Sequence, residues 1–367
     1  MALDPQARDE LTAATALVEH DVARVRLGGL LRLVRLADEH AALRQPVVHV
    51  LGAYLRSPAT TGSQRQVRAD RDARREVLRT LREHLTDPDA PTTWCGLDVD
   101  LSRCTLDGDL SGMVVSAGTV RLDGVRVPAG RTLDVRDVRV TGGALSMTRL
   151  EVAGRLDATG LAVDGGEACV DGLVVTGHGR VTLDGARLAD GCLWLRDGSI
   201  GTGTLSLRGV HVTGGHLSLH ETRVSGGEVR LDNLAVDGGH VHVSAATVES
   251  GALRLDDLRV ASGLVSLTMT HVEDGRMSLD GARVDGGAVR FEGLAVDRRA
   301  DVSWGPFEPV EPLPGPERTG RRDLDLRGPA PVDRWAWLRH GPADHDVTTP
   351  ARPPRQDVPS RSGRAAS

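Results

Sequence analysis

Lysine is missing altogether: the 45 basic side chains of this 367-residue chain are all arginine, a bias that coding in a GC-rich genome explains. Aromatic residues make up only 2% of the chain, with one Tyr and two Phe against 44 Gly. A compact globular core draws much of its buried area from aromatic rings, so their scarcity argues against two or three ordinary domains. It favours a long fold that fills its interior with Val and Leu in thin layers. Cysteine is sparse too. Cys95, Cys104, Cys169 and Cys192 are too dispersed for a CxxC pair or a zinc-ribbon spacing. The N-terminus MALDPQARDEL carries no apolar leader, and no apolar run approaches a membrane span. We therefore expect a cytoplasmic chain with reduced thiols. Fingerprints of the GxSxG, HExxH, P-loop and dinucleotide type are also lacking, so no catalytic residue is assigned and no cofactor is expected.

The formal net charge is -6, and its distribution is more informative than its total. Residues 1–94 carry 14 Arg against 13 Asp and Glu, and residues 301–367 carry 10 against 10. Residues 95–300 therefore hold 21 basic and 28 acidic side chains, a net of -7. That balance argues against direct binding to a nucleic-acid backbone.

What is present falls into two periodicities. Apolar residues first recur at helical spacing: Leu11, Ala14, Leu17 and Val18; then Leu27, Leu30, Leu31 and Val34. Val47, Val48, Leu51, Tyr54 and Leu55 form a third stripe, and Val77, Leu78, Leu81 and Leu85 a fourth. The polar stretch SPATTGSQRQ between the last two reads as a loop. Beyond TDPDAPTT the pattern becomes a strict 12-residue repeat. Val212, Val224, Val236, Val248, Val260, Val272, Val284 and Val296 mark it without exception. Gly follows three positions after each of the first seven, an apolar residue five after, and another seven after, as in Gly239, Val241 and Val243. Weaker copies with one-residue slips reach back to Val115 and Val120.

Each unit predicts two very short strands with alternate residues inward, joined by a Gly turn and a polar turn. Twelve residues cannot enclose filled side chains, so two units should make one coil of 24. Alternation of Val210, Thr222, Leu234, Ala246, Leu258 and Thr270 between large and small supports that period, until it breaks at Ala282. The predicted fold class is mostly β, a β-solenoid of about 24 residues per coil with an N-terminal α-helical domain. At ~4.8 Å per coil it forms a rod of about 40 Å. The expected divisions are a helical cap over 1–86, a linker over 87–96, a solenoid over 97–303, a C-terminal cap over 304–345 and a disordered tail over 346–367.

The segments VRLGGLLRLVRLADEH, RQPVVHVLGAYLR and REVLRTLREHL, followed by WCGLDVDLSRCTLDGDLSG, resemble the N-terminal part of actinobacterial pentapeptide-repeat-containing proteins. The resemblance covers roughly residues 20–112, where Leu101 and Leu106 stand five apart as a pentapeptide register requires. Downstream the five-residue period gives way to the 12-residue unit. The resemblance implies a four-sided right-handed β-helix. Some members of that broader family resemble duplex DNA and bind type II topoisomerases.

Stacked coils turn any functional residue into a ladder. Asp232, Asp256 and Asp280 stand 24 apart at one polar turn, where they could gather cations or imitate phosphates. The ordinary alternative is that Asp suits turns by bonding backbone N–H groups two residues on. Cys192, His216 and His240 form a second ladder of potential metal ligands, although outer rungs about 10 Å apart leave two ligands per ion. The ordinary reading is exposed turn residues. Glycine-rich calcium rolls need Asp where this chain has Ser218, Arg230 and His242, which excludes that reading. Trp194, between inward Leu193 and Leu195, should point outward as an interface anchor, unless the DRWAWL segment covers it. The function these features favour is a non-catalytic scaffold that binds a protein partner through a flat face. A DNA-mimicking modulator of a type II topoisomerase comes second. A β-helix enzyme acting on a glycan comes third, disfavoured by the shortage of aromatic platforms.

Overall fold

A computed structural model describes residues 5–310 apart from residue 59, together with 322–323 and 325–327. The expected C-terminal cap from residue 311 to 345, with its DRWAWL segment, and the tail 346–367 lie otherwise outside the described residues. Four helices come first: α1 (Pro5–Val18), α2 (Ala23–Glu39), α3 (Arg44–Arg56) and α4 (Gln64–His84). The apolar stripes read from the sequence face inward in α3 and α4, whereas Leu31 of α2 is exposed. The stretch expected to be a loop contains the start of α4. Ser63 and Gln66 form a capping box there, each side chain meeting the other residue's backbone N–H.

One charge is buried among these helices. Asp70 of α4, 3% exposed, accepts hydrogen bonds from Arg26 at 2.7 Å and Arg74 at 2.8 Å. Arg74 also donates to the carbonyls of Leu55, Ser57 and Pro58, so the network ties α2 and the end of α3 to α4. Burial pushes the Asp70 carboxyl upward, yet hydrogen bonds from Arg74 and Thr60 and the charge of Arg74 outweigh it and hold the group below the usual carboxylate range.

The remainder is a parallel β-solenoid of about nine turns with roughly 24 residues per turn. Each coil has four short sides, shared between two sheets. In one coil these are Cys192–Trp194, Ser199–Ile200, Thr204–Ser206 and His211–Val212. Cys192–Trp194 and His211–Val212 belong to the first sheet, and the two strands between them to the second. Between Arg223 and Ser266 the two-residue and three-residue strands run on through the Gly corner as continuous eight-residue strands. Residues 24 apart are register partners, for example Val229 with Leu253 and Val241 with Val265. Leu231 donates its N–H to the carbonyl of Arg254, next to Leu255, and both leucines are fully buried.

The two kinds of corner obey different rules. From the centre of a three-residue strand to the second residue of the next two-residue strand the count is always seven, as in Val120 to Val127 or Leu217 to Val224. Here the fourth residue after the strand centre takes a left-handed conformation, as Asp197, Glu221, Asn233, Ala245 and Met269 do at φ between 56° and 58° or at 55° for Ala245. Its N–H reaches the next coil, as Ala245 does to Thr268 at 2.9 Å. At the Gly corner five residues is the rule, but on the second sheet Val127 to Leu133 takes six, Val152 to Leu156 four, and Val175 to Val181 six. All the upstream slips in the repeat are absorbed there. The glycines of this corner let neighbouring coils approach: a Cβ on Gly239 would lie 2.6 Å from the carbonyl oxygen of Gly215.

The polar corner makes a stability prediction. A left-handed L-residue costs ~1–2 kcal/mol, while Gly adds ~0.4–1 kcal/mol of unfolded-state entropy. Ala245→Gly should therefore stabilise the rod by about 0.5 kcal/mol. Gly209→Ala should destabilise it by a similar amount, because a Cβ there meets nothing within 4 Å and only the φ of 65° opposes it. Thermal melts of the two variants moving in the same direction would contradict this account.

The large-small alternation also has a structural cause. Thr222 and Thr270 are buried at corners of the same kind, and their hydroxyls donate to the carbonyls of Leu195 and Val243 one coil back. Leu234 and Leu258 fill the opposite corner completely.

Candidate functional site

Strict alternation places two outward side chains on each three-residue strand of the first sheet. In two rows these are Cys192, His216, His240 and Leu264, and Trp194, Ser218, His242 and Ser266. None of the eight is an Asp, Glu or Arg. The equivalent side of the second sheet reads Thr204, Glu228, Ala252 and Arg276 beside Ser206, Arg230, Arg254 and Ser278, an ordinary charged surface. Over three inter-coil steps of ~4.8 Å the first-sheet side is therefore an uncharged stripe about 14 Å long.

Rings stack along that stripe. Trp194 and His216 lie 6.3 Å apart at 9°, His216 and His240 5.1 Å apart at 13°, and His240 and His242 6.1 Å apart at 23°. Arg196 caps the column, its guanidinium 4.9 Å from the Trp194 ring centre while it pairs with Asp171 at 2.5 Å. Trp194 thus stands outward and half-buried on its own strand. The segment proposed to cover it lies outside the described residues.

Burial, and then the charge of His240, push the His216 imidazole below its ordinary value. Burial also lowers His242, helped by His240, His216, His220 and Arg290. Burial raises the Cys192 thiol and pushes Cys169 up to about 11, so neither is a ready nucleophile at neutral pH. Because the folded imidazole values are depressed, their contribution to stability is complete above about 6.5 and is lost as pH falls below it. The melting temperature should drop between pH 7.5 and 5.5. In His216→Gln/His242→Gln that drop should be smaller, and an unchanged slope would contradict the assignment.

The metal-ligand ladder is real as a row: Cys192, His216 and His240 are register partners. Among the described residues, however, no group of three or more His, Cys, Asp or Glu side chains is placed to hold a metal ion. His242 joins the column and was overlooked in the sequence. The signal was its spacing of two from His240, which puts both rings on one side of the strand.

The Asp ladder is occupied by its neighbours. Asp256 accepts hydrogen bonds from the hydroxyl of Ser278 and the backbone of Asp280, and Asp280 accepts from Ser303, so these carboxylates bridge to the next coil. Asp184 does the same with Ser206 and Arg208. The two-residue Asp turn expected at this position is found elsewhere, at Asp100, Asp109 and Asp134. Asp232 is buried between Arg254 at 3.6 Å and Arg208 at 3.7 Å. Burial raises its carboxyl despite both cations.

No family model matches the sequence, and no curated protein or solved structure gives a significant match. The site must therefore be judged on its own geometry. No helix among the described residues is long and apolar enough to cross a membrane.

Proposed function

We propose that the chain is a non-catalytic interaction scaffold of the pentapeptide-repeat type, which binds a protein partner through the uncharged side of its first sheet. The observation that carries this reading is the stacked column Trp194–His216–His240–His242 on a surface otherwise rich in charge. Depletion of charge with aromatic side chains at the centre is the compositional mark of an interface core. The burial of Leu101 and Leu106 at the entry to the solenoid supports the family resemblance.

A DNA-mimicking surface would need a continuous acidic stripe. Along the coils the carboxylates sit instead in pairs with arginine, such as Glu151 with Arg126, Asp157 with Arg155, Glu228 with Arg230 and Glu249 with Arg223. The scaffold reading is therefore preferred over a topoisomerase modulator.

Photo-crosslinking in the native host tests it. A crosslinker at His240 should capture a partner that one at Arg276, on the second sheet, does not. Trp194→Ala should abolish the capture. Equal capture from both sides would refute the assignment of the face.

A further inference from the structure

A separate surface lies on the helical body. A cleft of 970 Å³ opens between the N-terminal parts of α2 and α4. Its apolar lining includes Val22, Leu27 and Ala69, and Val22 is 52% exposed. Arg24, Arg65 and Arg68 also line it, all three exposed. Among the described residues no ion pair, hydrogen bond or ring contact engages any of them. That sets them apart from arginines such as Arg126, Arg223 and Arg276, which pair with acids on neighbouring strands. The cleft itself is lined by Arg24, Arg26, Arg65 and Arg68 against Asp21, Asp72 and Glu76; Arg26 is taken up by Asp70 and Glu76 by Arg79, which leaves a small positive excess.

We propose that this cleft docks an acidic amphipathic helix of a partner protein. An apolar concavity takes the hydrophobic face of a helix, and three unpaired guanidinium groups meet the carboxylates that flank such a face. A nucleic-acid strand fits less well, because Asp21, Asp72 and Glu76 also line the cleft and interrupt the run of positive charge that a continuous row of phosphates needs. A membrane surface is flat, whereas this site is recessed.

The test uses the full chain and a fluorescent 18-residue peptide with Leu at helical spacing and Glu on its other face. Fluorescence anisotropy should show micromolar binding that weakens at least tenfold in Arg24→Glu/Arg65→Glu/Arg68→Glu and severalfold in Val22→Ser. Circular dichroism of these variants should match the parent, since none of the four side chains is buried. If the triple variant misfolds, Arg65→Glu/Arg68→Glu carries the same readout. Trp194→Ala should leave the peptide's affinity unchanged, which separates this site from the solenoid face. Absence of binding, indifference to the arginine variants, or equal binding of a Lys counterpart would overturn the proposal. So would tighter binding, through these same arginines, to phosphatidylserine vesicles or to a single-stranded oligonucleotide.

Discussion

Leu255→Asp should unfold the coils around it, at a cost of several kcal/mol. Leu255 is completely buried between Leu231 and Leu279, which are equally inaccessible, so a carboxylate there meets neither water nor a cation. Its neighbour Arg254 points outward from the same strand, and a simple surface residue would tolerate substitution within ~0.5 kcal/mol. Arg254 is not simple: it pairs with Asp256 at 2.7 Å, Asp232 at 3.6 Å and Glu228 at 3.7 Å. Arg254→Asp would place a further carboxylate among those three, and we expect it to cost about 1 kcal/mol for a half-exposed network. Because coils in a solenoid are coupled mainly to their neighbours, hydrogen exchange read coil by coil is the appropriate measurement. Leu255→Asp should accelerate exchange over the strands Thr247–Arg254 and Arg276–Ser278, and Arg254→Asp should do so only slightly. Equal acceleration would mean that the alternation of inward and outward residues has been misassigned.

The repeat was legible because nothing interrupts it: from Val212 to Val296 each apolar position recurs on the interior side of a coil. Upstream the period slips by one residue, and the sequence offers no indication of which corner takes the slip. The reason is that the polar corner is held by a left-handed residue bonded to the next coil, while the second-sheet Gly corner has no fixed conformation: Gly130 and Gly177 are left-handed at the six-residue corners, and no residue between Val152 and Leu156 is. Even the left-handed position was hidden. At some polar corners it is glycine, such as Gly209 and Gly281, but at others Glu221, Ala245 and Met269 occupy it, side chains that ordinarily avoid that conformation. Of the candidate site, the ladders Cys192–His216–His240 and Asp232–Asp256–Asp280 followed from the period alone. What those side chains do depended on neighbours in other coils, such as Ser278 for Asp256. Pairwise chemistry of that kind has no signature along the chain. The capping box at Ser63 and Gln66 was there to be read, but an absence of apolar periodicity over SPATTGSQRQ concealed it.

Removing residues 1–86 should convert the protein into aggregates or filaments. The first coil presents the edge of a parallel sheet, and an unpaired edge is a template for another chain. The helical body closes it with side chains that imitate a strand. Gln45 donates to the carbonyl of Asp98 at 2.8 Å and accepts from its N–H at 3.0 Å, Arg56 donates to the carbonyl of Asp100, and Arg82 to that of Ser111. The carbonyl of Leu85 takes the N–H of Val114 at 2.6 Å. Leu51, Leu55 and Leu81 also continue the apolar interior into Leu101, Leu106 and Leu110, as one core cluster. Deletion would strip both the hydrogen bonds and the apolar cover from that coil. At the other end Phe307 is buried edge-on against Phe291, with ring centres 5.2 Å apart, and Arg322–Asp323 pairs antiparallel with Ala295–Val296. Only the N-terminal edge should therefore become fully available, and the fragment 87–367 should elute as large species in size-exclusion chromatography. Gln45→Ala/Arg56→Ala in the full chain should show a milder form of the same defect, a lowered melting temperature with some association. A soluble, monomeric 87–367 fragment would mean that capping is not what the helices are for, and would leave docking at the α2–α4 cleft as their principal role.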